Sequence, residues 1–171
     1  MRRGMVFIFG LPMMLAALVM VAPAALAVSA HFNSASANLS GSNLVVSFKE
    51  AGLGTNQLID YKASASASAT YVCVNKGGGN PSASNKTTVN GPVSATGSFS
   101  SGKNGNVTGS LTLTPPPPGP TFKCPTGQSQ ATASVTYTGV SIADTTNGIT
   151  EAISGVFSTG CLLPHVRGAC S

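Results

Sequence analysis

Residues 61–75, "YKASASASATYVCVN", alternate without a break. Tyr61, Ala63, Ala65, Ala67, Ala69, Tyr71 and Cys73 fall on one face, and Lys62, Ser64, Ser66, Ser68, Thr70, Val72 and Val74 on the other. A period of two sorts side chains cleanly only on an extended chain; on a helix the alanines and serines would mix around the circumference. This run is therefore a strand. Its second face is polar early and apolar late, which predicts passage from a sheet edge into the core. Fifteen residues exceed the usual strand length, so a bulge or bend is expected within the Ala-Ser repeat.

The same period recurs downstream and upstream. In "NLVVSFKE", Leu44, Val46 and Phe48 share one face. Residues 93–113 read as a hairpin, with Val93, Ala95, Gly97 and Phe99 going out and Val107, Gly109, Leu111 and Leu113 returning. Between them Lys103-Asn104-Gly105-Asn106 supplies an Asn-Gly pair that tolerates positive φ. Five prolines in "PPPPGP" (115–120) cannot donate to a ladder and predict an extended connection. Then Ala131, Ala133, Val135 and Tyr137 alternate, followed by Val140 and Ile142, an Asn147-Gly148 turn and a last strand near 149–157. No window carries a helical period. Short strands punctuated by Gly, Asn and Pro predict an all-β chain, an antiparallel β-sandwich of immunoglobulin-like type, with a barrel as the alternative. The three tyrosines, Tyr61, Tyr71 and Tyr137, share faces with apolar neighbours and are expected in the core.

The first thirty residues have the parts of a signal peptide: Arg2 and Arg3, an apolar run from Met5 to Val21, then small residues. Cleavage is expected after Ala27 or after Ala30. Residues 31–171 then form a single domain that is secreted and extracellular, with no membrane span in the mature chain. Of nine basic residues two lie in the leader, against four acidic ones, leaving a mature charge of +3. The remaining cations are scattered singly, with neither the dense patch nor the interleaved aromatics of a nucleic-acid binder. With so few charges, Ser, Thr, Asn and Gly must make the exterior polar.

Cys73, Cys124, Cys161 and Cys170 are expected to form two disulfides in an exported chain, Cys73–Cys124 and Cys161–Cys170 among three possible pairings. Catalytic signals are sparse. No Gly-x-Ser-x-Gly elbow is present, and Asp144 and Glu151, which could be drawn as a glycosidase pair, are read as solvated positions beside a turn. His31 and His165 are the only histidines. If cleavage follows Ala30, the His31 amine and ring, with the His165 ring, would offer three nitrogens suited to copper. That set resembles the histidine brace of lytic polysaccharide monooxygenases, which implies copper-dependent oxidation of polysaccharide on an immunoglobulin-like core. Without it no cofactor is expected.

At "NLVVSFKEAGLG", "YVCVNKGGGNP" and "FKCPTGQ" the chain resembles an uncharacterised family of small exported proteins from bacteria and fungi. The likeness implies export and a β-rich domain, with no activity to carry over. Its texture is also similar to apoprotein carriers of the neocarzinostatin type, although their cysteine spacing differs. The expected function is a secreted, non-enzymatic binding or structural module at the cell surface or in the medium, its partner left open with a cell-wall or extracellular glycan as the candidate. The alternatives are the copper-dependent monooxygenase and a secreted protease inhibitor presenting Lys123 beside Cys124.

Overall fold

A computed structural model of the chain describes residues 29–79 and 85–170. Residues 1–28, which hold most of the predicted leader and the expected Ala27 cleavage position, lie outside the described residues. Eight strands follow one another: β1 (His31–Ser40), β2 (Asn43–Ala51), β3 (Leu58–Asn75), β4 (Lys86–Ser100), β5 (Val107–Leu113), β6 (Gln128–Asp144), β7 (Ile149–Ile153) and β8 (Phe157–Ser158). They form two antiparallel sheets, one ordered β1-β2-β5 and the other β4-β3-β6-β7, with β8 pairing β6 beyond the end of β7. β2 pairs with β5 in one sheet and β3 with β6 in the other, the interlocked pairing of an immunoglobulin-like sandwich. The barrel is not formed.

β3 organises the second sheet. Its odd-numbered side chains from Ile59 to Tyr71 are all buried, and the Ser, Thr and Lys positions between them are half-buried or exposed. The expected bulge exists, but it lies on the partner strand. Ser64 pairs with Ser141 and Ser66 with Thr138, so an extra residue belongs to β6, at Gly139 with φ +60°, and a second shift, Thr70 with Ser134 then Tyr71 with Thr132, leaves Ala133 of β6 extra as well. The first shift carries β6 from inward Ile142 and Val140 to inward Tyr137 and Val135. The Ala-Ser repeat keeps an unbroken register with β4.

The hairpin expected across residues 93–113 is not formed. β4 pairs with β3 in one sheet, whereas β5 pairs with β2 in the other, so the connection crosses between layers. Its turn is captured by residues 53–57 instead: Leu53 donates to the Gly105 carbonyl (3.0 Å), Asn56 to Gly102 (2.6 Å) and Ser101 to Gln57 (2.9 Å). The Ser101 hydroxyl, itself buried, donates to Gly54 O at 2.7 Å. An Asn-Gly pair specifies a reversal, and these long-range bonds decide which sheet the returning strand joins. The last predicted strand is split into β7 and β8 around Gly155.

Both expected disulfides are formed, with Cα atoms 5.4 Å apart at Cys73–Cys124 and 5.7 Å at Cys161–Cys170. The first ties the end of β3 to the segment after the proline run. There the Tyr71 hydroxyl donates to Pro116 O at 2.7 Å and Phe122 packs on the core, so the prolines make a strap over the end of the sandwich. The second closes a loop whose Leu163, Val166 and Ala169 pack on Val72 and Ala133, a small second core apart from the main one. Tyr137 donates to Ser42 O (2.7 Å) at the β1–β2 turn. All three tyrosines are core residues, as expected.

The two cross-links enclose 51 and 9 residues. Loop-closure entropy then assigns them about 4 and about 3 kcal/mol. Replacing Cys73 and Cys124 by Ser should lower the urea unfolding midpoint more than replacing Cys161 and Cys170. An equal or reversed order would mean that the C-terminal loop contributes more than its closure entropy.

Candidate functional site

The two histidines are not brought together. His31 begins β1 opposite Ala51, is exposed, and its ring Nδ1 lies 2.7 Å from Ser29 O. It sits at the end of the sandwich that holds Glu50 and Tyr61. His165 is exposed on the disulfide loop over Val72, eleven residues from Tyr61 along β3, which is about 36 Å of extended chain. The two rings cannot share one ion. Among the described residues no three His, Cys, Asp or Glu side chains converge as a metal set. Lys123 is exposed beside Cys124, on a segment braced by the disulfide and by Phe122.

The carboxylates depart from the sequence reading. Asp144 is not solvated: it is 1 % exposed, and its Oδ1 accepts from the main-chain nitrogens of Thr146 (2.8 Å) and Asn147 (2.9 Å). Its Oδ2 accepts from Asn147 Nδ2 at 2.6 Å. A carboxylate satisfies three donors of the β6–β7 turn here, which outweighs the loss of hydration. Glu151 is exposed, as expected.

Glu50 is the residue that sequence reasoning passed over. Extending the inward series Leu44, Val46, Phe48 by one step reaches it, and it is 1 % exposed. It pairs with Phe32 on β1 and Val107 on β5, and lies beside Tyr61, whose ring packs on Phe48 at 4.4 Å between centroids. Neither Glu50 oxygen nor the Tyr61 hydroxyl completes a hydrogen bond. Burial pushes the Glu50 carboxyl up to about 7; the Tyr61 hydroxyl and His31 oppose the rise and Asp144 adds to it. Burial, and then Glu50, push the Tyr61 phenol far above its ordinary range. A glycosidase pair must face substrate across a cleft. Glu50 and Asp144 are enclosed by the core, so this cluster bears on stability.

The accessible chemistry lies on the outer face of the first sheet. Ser34 and Ser36 from β1, Ser47 and Lys49 from β2, and Thr108 and Ser110 from β5 surround a shallow groove of about 560 Å³. Phe48, inward and 2 % exposed, and half-buried Phe99 lie beneath the sheet at this point. Gly109 lets their rings approach the sheet, because a Cβ there would stand 2.9 Å from both. Period two places the hydroxyls: each is one position out of step with the inward series of its own strand. A smaller groove of about 400 Å³ lies on the second sheet, around Ser66, Ser68, Asn90, Pro92, Thr136 and Thr138. No aromatic side chain borders it. No family model, curated protein or solved structure matches this chain.

Glu50 makes stability depend on pH in a defined direction. Its ordinary value is 4.5 and its folded value about 7. Between these the folded state holds the extra proton, so stability is greatest below the window and falls as pH rises through it, by roughly 3 kcal/mol. Melting curves across the window should show this decline, and Glu50→Gln should flatten it and raise stability at neutral pH. A variant with the same slope as the parent protein would assign the dependence elsewhere.

Proposed function

We propose that this is an exported, non-catalytic β-sandwich that binds extracellular or cell-wall glycan through the groove on its β1-β2-β5 sheet. The observation that carries the reading is the groove's composition: hydroxyls from three strands and one ammonium, Lys49, on one open face. Sugars present hydroxyl edges, which such a surface meets with hydrogen bonds. A volume of about 560 Å³ is of the size that holds a short oligosaccharide.

Export is supported by the leader and by the two disulfides, which persist in oxidising compartments. Among the described residues no helix is long and apolar enough to cross a membrane. The enclosed carboxylates favour binding over hydrolysis, and the separation of His31 from His165 removes the geometric support for a two-histidine copper centre.

Co-sedimentation with insoluble cell-wall polysaccharide tests the reading. The parent protein should be retained, Ser47→Glu or Ser110→Glu should weaken retention at least tenfold, and Thr136→Glu on the opposite sheet should leave it unchanged. Loss of binding through Thr136→Glu alone would move the site to the other face. No retention of the parent protein on any polysaccharide would overturn glycan binding.

A further inference from the structure

Two cleavage positions are open in the sequence, after Ala25-Leu26-Ala27 and after Val28-Ser29-Ala30, and the packing of Ser29 and Ala30 discriminates between them. Ser29 O lies 2.7 Å from His31 Nδ1. Ala30 packs against the main core. Gly52, just past the end of β2, has φ +76°, and a Cβ there would overlap the Ser29 carbonyl, standing 2.6 Å from its carbon and 3.2 Å from Ala30 N. Positive φ and this close approach both require glycine. The backbone of residues 29–30 is thus seated on a surface shaped to receive it. A leader segment discarded during export would have no use for such a seat.

We infer that the leader is cut after Ala27, so that the mature chain begins at Val28 and keeps Ser29 and Ala30 as part of its fold. The inference rests on the export reading above. In the step itself a leader peptidase adds water across the Ala27–Val28 amide, leaving a carboxylate on Ala27 and an ammonium on Val28. The His31 main-chain nitrogen then remains an amide, and His31 cannot supply the terminal amine of a copper brace.

The experiment is to express the full chain, untagged at its N-terminus, in an export-competent bacterial host and to take the intact mass and N-terminal peptide of the exported protein. A first residue of Val28 is expected. A first residue of His31, or any other start that removes Ser29, overturns the inference while leaving export intact. Uncut chain retained in the cell overturns the export reading instead.

A second measurement examines the packing argument alone. Refolded, oxidised chains starting at Val28 and at His31 are compared by thermal melting, each with and without Gly52→Ala. The longer chain should melt several degrees higher, and Gly52→Ala should lower its melting temperature more than that of the shorter chain, which lacks the Ser29 carbonyl. Equal melting temperatures and equal effects of Gly52→Ala would show that residues 29–30 add nothing, and the argument would fall.

Discussion

The inward face of β3 is the constraint on which the rest of this protein depends. β3 lies between β4 and β6, and its odd positions from Ile59 to Tyr71 remain buried along its length. Four consecutive inward positions, Ala63, Ala65, Ala67 and Ala69, are small. Alanine buries little area, so the middle of the strand contributes little hydrophobic free energy of its own. What it provides is room for the larger side chains of the opposing strands. Register is strongly specified as a result, because a slip of one residue would turn the serines inward and bury hydroxyls without partners.

Aromatic packing and the longer cross-link lie at the two ends. At one end Phe32, Phe48, Tyr61 and Phe99 pack edge to face, with centroids 5.6–6.4 Å apart except for the closer Phe48–Tyr61 pair. At the other, Tyr71 and Tyr137 reach carbonyls of the proline strap and the β1–β2 turn, and Cys73–Cys124 locks the strap down. The aromatic end also holds the one buried carboxyl with no hydrogen-bond partner among the described residues, Glu50. A protonated acid costs less to enclose than a carboxylate, which is why burial and a raised pKa occur together there.

How far the candidate site could be read in advance follows from the same alternation. Ser34, Ser36, Ser47, Thr108 and Ser110 are recognisable as outward positions once their strands are known, and the strand series in β2 and β5 was legible from Leu44–Val46–Phe48 and Val107–Leu111–Leu113. β1 was not, because "HFNSASANLS" carries too few apolar residues to mark a face; its register is imposed by pairing with β2. Nor could the groove be seen, since it joins side chains of three strands that only the pairing of β1 and β5 with β2 brings side by side. Glu50 was within reach, two positions beyond Phe48. A charged side chain at an inward position contradicts the pattern locally, and only enclosure by neighbouring elements reveals that the pattern holds.

By itself the sequence determined most strands of the second sheet, the absence of helix among the described residues, the formation of two disulfides and the burial of the three tyrosines. These follow from periodicity, proline chemistry and cysteine count, all of which act over a few residues or through simple counting. Only the tertiary structure decided that β4 and β5 belong to different sheets, that the bulges sit at Gly139 and Ala133 of β6, that His31 and His165 lie at opposite ends, and that Asp144 is enclosed by its own turn. Each of these depends on contacts between residues far apart in the chain. Their free energy is set by which surfaces meet, and no local pattern records that.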